Sequence, residues 1–162
     1  VSTPPALYNF GYFSGGVGST SINRIDFAND TGTIPERGSL SDAKRDHYAV
    51  GNQNFGYFAG GEDASSQYVT SVDRIDYAND NVTASPKGNF WVAAYKSGGT
   101  GTSDYGYIAV GFTPTGSTNG FSTVGRIDYA NDTVTVPQRG TMAFPKATRP
   151  QGFSAEASGL PS

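Results

Sequence analysis

Short runs of apolar and aromatic residues, broken by Gly, Asn and Asp, succeed one another along the whole chain. Val72-Asp73-Arg74-Ile75-Asp76-Tyr77 is representative. In a strand, residues two apart share a face. Arg74 and Asp76 then project together, and Ile75 and Tyr77 project to the other side. Phe55-Gly56-Tyr57-Phe58-Ala59-Gly60 reads as an aromatic strand before it. Ala78-Asn79-Asp80 reads as a tight hairpin turn, because Asn and Asp tolerate positive φ. Residues 82–85 are predicted as the next strand. Small-residue segments at 48–50, 94–97 and 152–154 are predicted to open each set. The pattern therefore predicts an all-β chain of four-stranded antiparallel units.

The units repeat. Gly11-Tyr12-Phe13, Gly56-Tyr57-Phe58 and Gly106-Tyr107-Ile108 start matching segments, 45 and 50 residues apart, as expected of one supersecondary unit per repeat. Arg24-Ile25-Asp26-Phe27-Ala28-Asn29-Asp30 returns at 74–80 and at 126–132. A third block returns as Pro35-Glu36-Arg37-Gly38, Pro86-Lys87-Gly88 and Pro137-Gln138-Arg139-Gly140. Units of this size and strand number match propeller-type blades. One domain is expected over 8–158, with units of about 8–50, 51–101 and 102–158. Segments 1–7 and 159–162, which carry Pro4-Pro5 and Pro161, read as linkers. The phase of the repeat places a first strand near 151–155, where it can complete the blade begun at 10–15. Such ring closure removes exposed edges; three units are open to a compact three-blade ring, to two chains combined into six blades, or to part of a longer array.

Composition narrows the function. Charged residues are 15% of 162, Gly numbers 22, and the net charge is −3. A weakly acidic chain does not favour nucleic acid, which selects a basic face. There is no Cys, so disulfides and thiolate chemistry are excluded. No apolar run reaches membrane-spanning length, so no membrane insertion is expected. The chain starts at Val rather than Met, which is expected of a processed chain or an excerpt.

The aromatic strands ending in Gly15-Gly16 and Gly60-Gly61 resemble the diglycine strand of kelch repeats, and the RID blocks resemble the kelch third strand. The third unit departs with Val110-Gly111, and no unit has the kelch Trp after the turn; Trp91 lies later. Tandem GYFxGG with RIDYANDT further resembles repeat regions of virion-associated proteins of tailed phages, cyanophages among them, over about residues 8–155. That resemblance implies a virion or extracellular structural protein: a tail fibre, tail tip or head decoration. Its implied partners are other virion proteins or copies of itself.

Enzyme logic finds little, and no cofactor, metal or catalytic residue is expected. His47 is the single His and reads as a structural or surface residue. Ser97-Gly98-Gly99-Thr100-Gly101-Thr102 lacks the Lys-Ser/Thr ending of a phosphate loop and reads as a turn between units. Asn29, Asn81 and Asn131 match the N-glycosylation pattern but read as turn or turn-flanking residues. The turns hold too few carboxylates for calcium. Arg24, Asp26, Arg74, Asp76, Arg126 and Asp128 are expected to form ion pairs, Arg of one unit meeting Asp of the next. The loops 17–21, 62–70 and 112–123 lengthen from unit to unit. Such loops commonly carry function on a rigid scaffold. Tyr68, Phe112 and Phe121, with the amides of Gln67 and Asn119, are the candidate ligand-binding residues. Aromatics among Ser, Thr and Asn suit a host surface glycan or a protein partner.

Overall fold

The computed structural model describes residues 9–113, 122–143 and 152. The chain is all-β, built from four antiparallel sheets that do not close on themselves. The first unit is a three-stranded sheet of β1 (Phe10–Ser14), β2 (Ser21–Asp26) and β3 (Glu36–Ser39). A two-stranded ribbon pairs β4 (Lys44–Arg45) with β7 (Glu62–Asp63). The second unit is a meander of β5 (Tyr48–Gly51), β6 (Phe55–Ala59), β8 (Val72–Asp76) and β9 (Ser85–Pro86). The third repeats it with β10 (Gly98–Gly101), β11 (Tyr105–Ala109), β12 (Thr123–Asp128) and β13 (Gln138–Thr141). Equivalent registers recur: Tyr12 opposes Arg24, Tyr57 opposes Arg74, and Tyr107 opposes Arg126.

The apolar faces meet between units. Ile22, Leu40, Phe58, Ile75 and Ala84 form one buried cluster joining the first and second units. Tyr57, Val72, Phe90, Ile108, Ile127 and Val136 belong to a larger one joining the second and third. The first and second units thus each bury an apolar face against the next repeat, as repeat architectures require.

Three strand expectations need correction. The fourth strand lies later than 82–85, at Ser85–Pro86. Residues just before it cross to the preceding unit instead, where Ala84 N donates to Ser39 O at 2.7 Å and Thr83 bridges Ser39 in parallel. The turn after β8 is not a tight hairpin. Asp76 accepts from Ala78 N and caps a 3-10 turn over Tyr77–Asn79, which lengthens the connection. The first strand of the third unit is Gly98–Gly101, not 94–97, so the Ser97–Thr102 segment is largely strand rather than a turn between units. Tyr95 is held instead by two backbone bonds with Phe112, both 3.0 Å, and Lys96 turns the chain at φ 54° before the strand begins.

The strand expected at 151–155 lies outside the described residues apart from Gly152. A Cβ on Gly152 would stand 2.7 Å from Gly99 O, much as one on Gly99 would stand 2.5 Å from Ala49 O. Gly152 thus stands against β10 as Gly99 stands against β5. β1 is the terminal strand of its sheet.

Candidate functional site

The charged residues of the repeat converge at the joints between units. At the first joint the Asp80 carboxylate accepts from Tyr12 OH at 2.9 Å and from Arg24 Nη1 at 2.8 Å on Oδ2. Its Oδ1 accepts from Arg37 Nη2 at 3.2 Å. At the second joint Asp132 Oδ2 accepts from Tyr57 OH at 2.9 Å and Arg74 Nη1 at 2.7 Å, with Lys87 Nζ 3.7 Å from Oδ1. Asp80 and Asp132 are buried, with side chains 4% and 7% exposed. A buried carboxylate is retained where charged and hydroxyl donors satisfy it.

Aromatic rings fix these donors. Tyr12 stacks on Tyr77 at 4.9 Å, and Tyr57 on Tyr129 at 5.0 Å. Arg24, Arg74 and Arg126 lie over Phe10, Phe55 and Tyr105 at 4.1, 4.3 and 4.2 Å, within cation–π range. Burial, then the bonded carboxylate, pushes the Tyr12 and Tyr57 phenols well above their ordinary value. Burial alone pushes Tyr77 up to about 12.

The expected ion pairs therefore form with a different acid. Arg24 and Arg74 each meet the next unit, but at the turn residues Asp80 and Asp132. Asp26, Asp76 and Asp128 accept instead from Ala28, Ala78 and Ala130 N, two residues on, at 2.9–3.0 Å. A short carboxylate at the start of such a turn is captured by its own backbone. Sequence reasoning passed over Tyr12, Tyr57, Arg37, Lys87 and the turn aspartates as a set. Their signal was present, since each recurs in every unit: the tyrosine follows the glycine of the aromatic strand, and the basic residue stands seven positions after the turn aspartate.

The diglycine residues have a steric reason. Gly15, Gly16, Gly60 and Gly61 sit at φ 72°, 121°, 62° and 96°. A Cβ on Gly60 would stand 2.6 Å from Ala94 O, and one on Gly15 2.4 Å from Lys44 O. Left-handed backbone at close approach excludes other side chains.

The rim loops bring together part of the proposed ligand set. Tyr68 stacks on Tyr95 with ring centres 4.4 Å apart and planes 10° apart, and Tyr95 leans on Phe112 at 5.4 Å. Lys96 Nζ stands 5.0 Å from the Tyr95 ring centre. All three aromatics are half-buried. Tyr95 was not among the expected residues, because its segment reads as a strand. Gln67 is exposed, and its amide donates weakly to Ser65 O in its own loop at 3.4 Å. Phe121 and Asn119 lie outside the described residues.

His47 sits beneath the diglycine of the first unit. Ser14 Oγ lies 2.8 Å from Nε2, and Phe58 meets the ring edge-on at 5.9 Å. Burial, and then the Lys44 charge, push its pKa down to about 4. Lys44 is itself buried in an ion pair with Asp73 at 2.9 Å, and Asp73 accepts from Ser41 Oγ at 2.7 Å.

Among the described residues, no group of three or more His, Cys, Asp or Glu could hold a metal ion, and no helix is long and apolar enough to cross a membrane. No protein-family model matches the chain, and no curated protein matches its sequence.

Proposed function

We propose that this chain is a non-enzymatic structural module of a tailed-phage virion, its sheets serving as kelch-like, propeller-type blades. The observation that carries the reading is the repeated joint. Arg24, Arg74, Tyr12 and Tyr57, with Asp80 and Asp132, are spent on holding one unit to the next. Arg, Asp and Tyr so committed form a scaffold rather than a reaction centre. The phage context comes from the GYFxGG and RIDYANDT resemblance. Gold-labelled antibody against the chain, applied to purified particles of the phage that encodes it, is expected to mark tail or capsid. Label found only in the soluble fraction of the lysate, with intact particles bare, would remove the virion role.

A second reading has its own observation. The Tyr68–Tyr95–Phe112 cluster is a half-buried aromatic platform beside Lys96 and a polar loop. Such a platform suits stacking against the apolar face of a sugar ring. Binding to immobilised host surface glycans is expected to vanish in Tyr95→Ala with melting unchanged. Binding that survives this change would assign the platform to packing.

A further inference from the structure

Two joint sites are filled within the chain, and among the described residues the basic and aromatic half of a third has no paired acid. Arg126 holds the same pose over Tyr105 that Arg24 and Arg74 hold over their rings. Arg139 stands where Arg37 and Lys87 stand in the earlier units, and Tyr107 where Tyr12 and Tyr57 stand. Among the described residues neither arginine has an ion pair, and Arg126 Nε is buried without a hydrogen-bond partner.

The opposite end carries the missing half. Asp30 is the first unit's counterpart of Asp80 and Asp132, yet it is exposed and unpaired among the described residues. Phe27, counterpart of the stacked Tyr77 and Tyr129, is 60% exposed.

Backbone packing says the same independently. Gly38 and Gly88 are buried against the next unit's turn, where a Cβ would stand 2.5 Å from Val82 O and 1.8 Å from Val134 O. At their counterpart Gly140 a Cβ meets nothing within 4 Å, and the residue is exposed. Gly32, which corresponds to Val82 and Val134, likewise faces open space.

We propose that the third-unit end of one copy docks the first-unit end of a second copy, seating its Asp30 between Arg126, Arg139 and Tyr107. Phe27 of the second copy then stacks on Tyr107, as Tyr77 stacks on Tyr12. The Ile34 N–H reaches the Thr141 carbonyl, as Ala84 reaches Ser39 at 2.7 Å and Val136 reaches Asn89 at 2.8 Å. Head-to-tail contact of this kind either closes a ring of copies or runs on as a filament.

Two variants block one end each without repeating the same change. Asp30→Arg puts a cation at the head. Gly140→Trp fills the open space at the tail. Both positions are exposed, so circular dichroism and melting are expected to match the parent chain. Sedimentation of the parent chain is expected to show mass rising with concentration above 17.0 kDa. Each variant alone is expected to stay at single-chain mass. Their equimolar mixture is expected to form a species of twice that mass and no larger, because it has one free head and one free tail. A parent chain of single-chain mass at every concentration, variants that associate like the parent, or a mixture that does not pair would each overturn the docking.

Discussion

His47 shows how one residue's surroundings set the acid behaviour of the fold. The ring is packed under the first diglycine, against Ser14 and Phe58, and faces the Lys44–Asp73 pair, with Asp46 adjacent in the chain. Its pKa falls from 6.5 to about 4, through burial first and the Lys44 charge second, with Asp73 and Asp46 acting against them. Near neutral pH both folded and unfolded chains carry a neutral ring, so its contribution is fully present. As pH drops below 6.5 the unfolded chain takes up a proton that the folded chain refuses, and stability declines until about pH 4. Over that window the loss is expected to reach about 3 kcal/mol, since each tenfold change in proton affinity is worth about 1.4 kcal/mol. Urea unfolding of His47→Gln should show this loss missing between pH 6.5 and 4, relative to the parent chain. Equal slopes in the two proteins would mean that the ring is protonated in the folded state.

At the scale of elements, aromatic strands and RID strands were legible because their local pattern and their tertiary role agree. Phe55–Ala59 and Val72–Asp76 alternate as strands, and they pair with each other in the order the repeat implies. The fourth strand was not legible, because its start is decided by the neighbour. Residues 82–84 have the β-branched look of a strand, but their hydrogen bonds go to the preceding unit through Ser39. The strand Gly98–Gly101 was hidden for a related reason. Its glycines look like turn residues, and are small because Gly99 lies against the Ala49 carbonyl of the preceding first strand. The candidate site was half legible. The Arg repeat marked the joints, but the partner acid could not be chosen locally, because the RID aspartates and the turn aspartates recur with equal regularity. The structure chooses by reach. Asp76 is captured by Ala78 N in its own turn, which leaves Asp80 to face Tyr12 and Arg24. Tyr95 escaped notice because its role arises from stacking between loops distant in sequence.

Across the whole molecule the joint is one design used twice, with its two halves exposed at the ends. The same substitution therefore has different consequences at equivalent positions. In Gly88→Ala the added methyl would stand 1.8 Å from Val134 O and 2.5 Å from the Val134 carbonyl carbon. Both are backbone atoms, so neither can rotate away, and the third unit's turn must move off the second unit. That displacement pulls Asp132 from Tyr57, Arg74 and Lys87, since Asp132 lies two residues before Val134 and its carbonyl accepts from Gly88 N at 2.8 Å. The loss is expected to be about 1–3 kcal/mol or more, as for other overpacked sites. Gly140→Ala, at the equivalent place in the third unit, meets nothing within 4 Å. For a single chain its effect is expected to stay within about 0.5 kcal/mol, as for ordinary surface changes. Thermal melts of both variants at low concentration separate these outcomes. A large drop for Gly88→Ala beside an unchanged Gly140→Ala is what a joint filled once and open once requires. Equal drops would mean that the third-unit end is already covered within one chain, and the head-to-tail docking would fall with it.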